Sequence, residues 1–468
     1  MSLQTSSILP HRVALAHPRA GQRLSTRSFS RSRETRNHSG VSVQPAIQVL
    51  QGRAGDHLSI HALLLSLLHS PSEAEFQLNL DRPDYDPSQR LLLKHGDDLI
   101  GHIRLTPRLL RLHQTWLPTC DLSEFALLPE YDATETHRSC FLAAAKQQAL
   151  DQGAVLLTSR MHGAAVSGDS GWVANGDVCC LEGSPRDLLA NCAVQVERSA
   201  DIRQLRVRPW RYVEQQALME IYEENTRQCQ GTPLREDEYW HWLLIRRGYD
   251  EILVVVSADA ENDEQESLHQ QDILGYAFVR GSHIVELMVK PDRPEAAVRL
   301  VQRVAADAIE RDVHRIRLFQ PPINNSTVKA LRHLFGLQSD ELSTSRSVQA
   351  VFVVDPRSLL DLICLHAQGQ LGKQLGDTKL GLKLGDESVM IQGKGRRGLR
   401  ISPIKAARSQ IVTSRAQVTS LLLGGGLGEK HLPAGIRCAT SSIRDTARQI
   451  FQRVTLWRST LDDLPSSN

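Results

Sequence analysis

Two glutamates stand where a carboxylate is useful in catalysis. Glu124 and Glu286 each lie in an apolar stretch that predicts a β-strand, and each precedes a proline by five residues. A carboxylate at such a place can take a proton from an ammonium group, directly or through water, and so act as a general base. We predict this catalytic role for Glu124. The alternative is an ordinary strand residue satisfied by a neighbouring arginine or by solvent, and we interpret Glu286 as structural.

The segments that contain these glutamates repeat one another. Residues 98–102 match residues 272–276, and residues 123–130 match residues 285–292. After each of the two prolines comes an alanine-rich helical pattern and then another apolar strand. Two copies of one domain are the simplest explanation.

The order of the predicted elements indicates an α+β fold with mixed sheets. In each copy, antiparallel strands are followed by a helix and a further strand. We predict an Arg- and Ser-rich disordered head at 1–45, a first copy at 46–200, a second copy at 201–355 and a third domain at 356–468. A chain of 468 residues is long enough for about three domains of ordinary size.

Composition and charge exclude several classes of protein. The head contains seven arginines and one acidic residue, whereas the net charge of the whole chain is only +2, so the body is mildly acidic and offers no general surface for nucleic acid. A transit peptide is the alternative interpretation of the head. The eight cysteines form no Cys-x-x-Cys pair, and we expect reduced thiols, no metal site, no membrane segment and a cytoplasmic location.

A glycine-rich segment in the third domain matches a phosphate-loop pattern only superficially. Residues 393–398 read Gly-Lys-Gly-Arg-Arg-Gly, but a short strand ending at Pro403 follows them instead of a helix. A phosphate loop needs the N–H groups of a helix start, so we predict a basic hairpin turn here.

The repeated strand, glutamate and helix resemble the GNAT family of acetyl-CoA-dependent N-acyltransferases. The tandem arrangement with its C-terminal domain resembles, more narrowly, the "enhanced intracellular survival" group of amine acetyltransferases. The segments that carry the resemblance are 122–130, 153–160, 171–172, 208–226, 456–459 and 461–464. It implies two GNAT-like mixed-sheet domains, the second of them degenerate, and a sterol-carrier-protein-like (SCP2-like) α+β domain that helps to build a homo-oligomer.

The resemblance also implies a cofactor site in the first copy. Its backbone at Ala126, Leu127 and Leu128 would pair with the pantetheine arm of acetyl-CoA. The turn at 132–137 would hold the pyrophosphate, and the candidate residues there are Thr134, Thr136, His137 and Arg138. This turn lacks the glycines of the family, and Asp132 and Glu135 have the spacing of a helix cap that would occupy the same N–H groups.

The catalytic acid and base of the group that this chain resembles have only partial counterparts in this sequence. There the terminal carboxylate reaches back to the first domain, which makes Asn468 the second predicted catalytic residue. The tyrosine acid of that group has no counterpart between Tyr131 and Tyr212, and His162 is the alternative proton donor. Two functions therefore remain open: transfer of acetyl from acetyl-CoA to a small-molecule or peptide amine, or a non-catalytic scaffold that has lost the CoA loop.

Overall fold

The computed structural model describes most of the chain after residue 45. The described residues are 46–132, 135–160, 171–175, 179–246, 248–257, 272–320, 326–336, 349–371, 379–384, 387–393, 399–404, 410–414, 417–423 and 436–462. The head at 1–45, the polar segment 259–271, His162 and Asn468 lie outside them.

The described strands and helices follow the predicted order. The strands are β1 (Ile47–Gln51), β2 (Arg90–His95), β3 (Asp98–Leu112), β4 (Thr115–Leu127), β5 (Leu156–Ser159), β6 (Val173–Ala174), β7 (Cys179–Gly183), β8 (Leu205–Pro209), β9 (Glu251–Ser257), β10 (Ile273–Arg280), β11 (His283–Val289), β12 (Ile316–Gln320), β13 (Ala350–Val353), β14 (Lys379–Leu384), β15 (Glu387–Gly393), β16 (Leu399–Pro403), β17 (Gln410–Thr413) and β18 (Ile436–Cys438). The helices are α1 (His57–Leu68), α2 (Glu73–Leu80), α3 (Pro129–Asp132), α4 (Glu135–Asp151), α5 (Pro185–Arg198), α6 (Ala200–Arg203), α7 (Gln215–Thr226), α8 (Asp237–Ile245), α9 (Ala296–Glu310), α10 (Ser326–Leu334), α11 (Pro356–Leu371), α12 (Val418–Leu422) and α13 (Ser441–Ile450).

These strands form three mixed sheets. The first has the order β1-β2-β3-β4-β5-β13-β6 and the second has the order β8-β9-β10-β11-β12-β7. In both sheets the strand that carries the glutamate, β4 or β11, is antiparallel to one neighbour and parallel to the other, β5 or β12. The α+β fold class is confirmed.

The two copies exchange their last strands. Strand β7 comes before the second copy in the chain but pairs with β12 in the second sheet, and β13 comes at the end of the second copy but pairs with β5 in the first sheet. Helix α5 packs with its Leu188 and Cys192 in the core of the second sheet. The predicted domain boundaries near residues 200 and 355 divide the chain in sequence order. Each of the two sheets, however, includes one strand that these boundaries assign to the other copy.

The repeated glycine of the two copies permits close packing between neighbouring strands. A Cβ on Gly275 would lie 2.5 Å from Val289 Cγ1, and one on Gly101 would lie 3.0 Å from Leu127 Cδ1. Real Cβ atoms do not tolerate the first distance, so a side chain at Gly275 would push β10 and β11 apart. Gly101 and Gly275 therefore allow the central strands of the two sheets to lie close together.

Helix α9 shows how the sequence places a helix on its sheet. Its apolar residues recur at spacings of three and four, including Ala297, Val301, Val304 and Ala308, and they are buried against the second sheet. Strand β9 below it is buried along residues 252–256, as expected for a central strand covered on both faces.

The third domain has its own sheet, with the order β16-β15-β14-β17-β18. Helices α11 and α13 and residues of the first sheet such as Leu117 and Val351 share one core with it. Strands β15 and β16 are antiparallel neighbours, as the predicted hairpin requires, although the turn residues 394–398 themselves lie outside the described chain.

The chain after α13 returns across both copies. Asn175, beside β6, donates to Val454 O at 3.0 Å, and Arg246 donates to Leu461 O in the second copy at 2.5 Å. We call residues 451–462 the return segment. Among the described helices, none combines the length and the apolar character needed to cross a bilayer.

Candidate functional site

Strand β4 contains a bulge at Glu124. The register of β4 against β3 shifts between His102 and Arg104, so that one residue of β3 faces two residues of β4. Glu124 has φ 52°, a left-handed conformation that costs a residue other than glycine about 1–2 kcal/mol. Surrounding contacts must therefore hold the backbone at this position.

Two arginines hold the carboxylate of Glu124. Arg90 Nη1 lies 2.7 Å from Oε2 and Arg104 Nη1 lies 2.6 Å from Oε1. Burial alone would raise the pKa of this carboxyl, but the charges of Arg104 and Arg90 outweigh it and hold the pKa at about 2. The geometry is that of the alternative predicted for Glu124, a strand carboxylate satisfied by neighbouring arginines.

His102 holds the backbone of the same residue. Its Nδ1 lies 3.1 Å from Glu124 O, and its Nε2 lies 3.1 Å from Arg90 Nη1. A guanidinium group only donates, so Nε2 accepts and Nδ1–H donates to the carbonyl. Burial lowers the pKa of His102 to about 3, which keeps the ring neutral and fixes this tautomer.

The pairing of β4 with β5 ends before the bulge. It covers only residues 119–121 of β4 and 156–158 of β5, and the side chain of Ser159 reaches across to Leu122 O at 2.9 Å. Strand β5 ends at Ser159, so the later residues of β4 have no strand partner on this side in the described chain. We call the space beside this edge of β4 the gap.

Of the three predicted pantetheine residues, only Leu127 directs its backbone groups to the gap. Leu128 N–H donates to Ile100 O at 2.9 Å, and its carbonyl accepts from two N–H groups of the following turn. Because backbone groups alternate along a strand, Ala126 also faces β3, opposite His102. Leu127 faces the gap, together with Phe125, which the sequence analysis did not select.

The helix after β4 starts differently from the prediction. Pro129 begins the short helix α3, since proline suits a first helical position. Asp132 is itself a helical residue of α3, so the prediction that it caps a helix start is wrong. The Asp132 carboxylate instead accepts from Arg138 Nε at 2.9 Å and from Nη2 at 2.7 Å. The Arg138 guanidinium also lies 5.9 Å from the centre of the Phe125 ring, beside the gap.

The other predicted pyrophosphate residues surround this helix start. Thr136 is exposed, and His137 Nδ1 lies 3.3 Å from Tyr131 O. Thr134 lies outside the described residues. In the second copy, α9 begins at Ala296, and Glu295 is at its N-cap position.

The glutamate of the second copy belongs to a buried ion cluster. Arg235 donates to both oxygens of Glu286, at 3.0 and 2.7 Å, and to both oxygens of Asp462, at 2.9 Å each. The Tyr276 hydroxyl donates to Glu286 at 2.9 Å. All four side chains are buried, and the Tyr222 ring lies 4.0 Å from the Arg235 guanidinium. This set, which links the return segment to β11, escaped the sequence analysis because its members are far apart in the chain.

The gap of the second copy is occupied by the chain itself. Strand β11 pairs with β12 only at residues 283–284, so it too has an edge without a strand partner in the described chain. There the Thr460 hydroxyl donates to Val285 O at 2.6 Å, and Asn225 Nδ2 donates to Val289 O at 2.8 Å. Val289 corresponds to Leu127, so the two copies differ at the edge where pantetheine was predicted to pair.

The return segment also passes the end of β5 in the first copy. Arg458 Nη1 lies 2.9 Å from Asp121 Oδ1, and Arg160 Nη2 donates to Arg458 O at 2.6 Å. The described chain ends at Asp462, six residues before Asn468. No group of three or more His, Cys, Asp or Glu side chains in the described residues is arranged to hold a metal ion.

The comparison with solved structures defines the fold. A probable N-acyltransferase from Enterococcus faecalis V583 superposes with a TM-score of 0.63 at 12% identity, and a GCN5-related N-acetyltransferase from Kribbella flavida superposes with 0.63 at 11%. Eis1 from Mycobacterium abscessus superposes with 0.57 at 12% identity. Each match covers 88% of this chain and 99% of the other.

The chain has the fold of GCN5-related N-acetyltransferases. At these identities the likeness shows the fold alone. No family profile matches the chain, and no curated protein matches it in sequence.

Proposed function

We propose that the first copy binds acetyl-CoA and transfers its acetyl group to an amine. The observation that carries this proposal is the difference between the two gaps: Leu127 and Phe125 present backbone groups to an edge without a strand partner in the described chain, whereas Asn225 and Thr460 occupy the corresponding edge of the second copy. One chain would then bind one acetyl-CoA.

The amide groups of pantetheine would pair with the free edge as an additional strand does. The pyrophosphate would lie at the start of α4, near Thr134, Thr136 and His137, where N–H groups and the helix dipole favour an anion. Arg138 would exchange Asp132 for the pyrophosphate, because a guanidinium group binds either anion with two hydrogen bonds.

The reaction would be a direct transfer. The neutral amine attacks the thioester carbonyl, a C–N bond forms, the C–S bond breaks, and CoA leaves as its thiolate after the amine has given up one proton. Backbone N–H groups at the gap are suited to stabilise the oxygen of the tetrahedral intermediate.

Glu124 fits the role of proton acceptor poorly. A general base works best with a pKa near the operating pH, and two arginines hold the pKa of Glu124 at about 2. We propose that Glu124 serves chiefly to fix the bulge, and the role of proton acceptor predicted for Asn468 stays a prediction.

A non-catalytic scaffold is the second candidate function. The Asp132–Arg138 ion pair favours it, because a carboxylate already occupies the arginine at the helix start. Whichever of the two functions the chain has, we propose that its third domain is SCP2-like and supports a homo-oligomer.

A matched pair of proline variants tests the proposed function. Leu127→Pro removes an N–H group that faces the gap and leaves the hydrogen bonds to β3 in place, while Val289→Pro makes the same change in the second copy. We expect release of CoA thiol from acetyl-CoA in the presence of an amine panel, reduced at least tenfold by Leu127→Pro and unchanged by Val289→Pro. Equal loss in both variants, or no turnover by the unmodified chain with any amine, would contradict the proposal.

A further inference from the structure

The bulge of β4 determines which backbone groups reach the gap. Before it, even-numbered residues such as Leu122 face β5, and after it odd-numbered residues, Phe125 and Leu127, do so. The extra residue at Glu124 produces this change of phase. Whatever holds Glu124 in its left-handed conformation therefore also sets the edge that is available to a ligand.

We infer that His102 is a positioning residue that maintains this edge by donating Nδ1–H to the Glu124 carbonyl. The inference rests on the proposed function for its consequence, which is the binding of acetyl-CoA. His102 is fully buried, so its hydrogen bond is shielded from bulk solvent. Without this donor, the Glu124 carbonyl would lie in the protein interior without a partner, and the left-handed backbone would lose one of its restraints.

The second copy lacks such a histidine, although β11 has a bulge of its own at Val285. Tyr276 occupies the position of His102, and its hydroxyl contacts the carboxylate of Glu286, not its backbone. The non-glycine residues with positive φ in the described chain include Glu124 but not Glu286. In that copy the edge of β11 is covered by side chains of the chain itself. Within the described chain, the left-handed glutamate and the histidine that holds its carbonyl thus occur together in one copy and are both missing from the other.

Two substitutions separate the two hydrogen bonds of His102. In His102→Asn the side-chain amide nitrogen lies near the position of Nδ1 and can still donate to Glu124 O. In His102→Gln the amide lies near the position of Nε2 and can contact Arg90 but not that carbonyl. Tyr276→Phe, in the second copy, is the control for loss of a buried hydrogen bond elsewhere.

Calorimetric titration with acetyl-CoA is the first measurement. We expect the Kd to rise about tenfold in His102→Gln and to stay within about threefold of the unmodified value in His102→Asn and Tyr276→Phe. In turnover, His102→Gln should raise KM for acetyl-CoA with little change in KM for the amine. Thermal unfolding of each variant identifies any that fail to fold.

A second measurement keeps the inference separate from the proposed function. Hydrogen exchange of a peptide covering residues 118–128 should be faster in His102→Gln than in His102→Asn, whether or not acetyl-CoA binds. The inference is overturned if the two variants behave alike in this exchange, or if His102→Gln binds acetyl-CoA as the unmodified chain does. If the unmodified chain binds no acetyl-CoA but the exchange difference between the two variants appears, the proposed function is wrong and the positioning role of His102 is supported.

Discussion

The ion pairs of Glu124 make the stability of the first copy depend on pH in a way that one substitution can isolate. The pKa of Glu124 is depressed in the folded chain, from an ordinary value of 4.5 to about 2. Its contribution to stability is therefore present in full above pH 4.5 and is lost as the pH falls through the folded value of about 2. Glu124→Gln removes the titrating group and with it this pH dependence.

The magnitude follows from the shift. A change from 4.5 to about 2 corresponds to about 3 kcal/mol of stability, of which about 2 kcal/mol should be lost between pH 7 and pH 3. Only 16% of the Glu124 side chain is exposed, so solvent screening reduces this figure little. The buried positions of Arg90 and Arg104 point the same way.

The assay is urea unfolding, followed by tryptophan fluorescence at pH 7, 5, 4 and 3. Glu130→Gln is the control, because Glu130 is an exposed glutamate of α3, close to Glu124 in the chain. The unmodified chain and the control should lose about 2 kcal/mol more than Glu124→Gln over this range. Equal losses in all three proteins would refute the assignment of the two ion pairs.

Three further outcomes are expected. Asp132→Asn should lower the Kd for acetyl-CoA about fivefold, because it frees Arg138 and removes a negative charge worth about 1 kcal/mol near the pyrophosphate. Arg138→Gln should weaken acetyl-CoA binding about tenfold. Titration with acetyl-CoA at several salt concentrations checks both expectations. Asn225→Leu should destabilise the chain by about 1–2 kcal/mol, by leaving Val289 O without its donor, with no change in acetyl-CoA affinity in the same titration. Arg235→Met should cost at least about 3 kcal/mol in thermal unfolding, because two buried carboxylates then lose their shared counter-charge, and an unchanged melting temperature would contradict that account.

The sequence contained enough local information to predict the repeated unit. Alternating and helical apolar patterns lie within a few residues of one another, so the order of strands and helix in each copy follows from them, as β9, β10, β11 and α9 show. The strand exchange was not predictable in this way. Strand β13 is a short apolar stretch whose partner β5 lies nearly 200 residues earlier, and no local pattern records that pairing.

The site was predicted only in outline, for a related reason. The position of Glu124 follows from the repeat, but a bulge depends on how two strands meet, and the bulge decides that Phe125 and Leu127 face the gap while Ala126 and Leu128 do not. The spacing of Asp132 and Glu135 predicts a cap, but Pro129 begins the helix α3 three residues earlier, which puts Asp132 inside a helix. Contacts of the return segment, such as Thr460 with β11, depend on tertiary packing alone.

Calorimetric titration of the unmodified chain with acetyl-CoA tests the central claim most directly, because it counts sites as well as detecting them. The account predicts one site per chain, since in the described residues the edge at Leu127 has no strand partner, whereas Asn225 and Thr460 occupy the corresponding edge of the second copy. No heat of binding at millimolar acetyl-CoA, or two equivalent sites per chain, would contradict it.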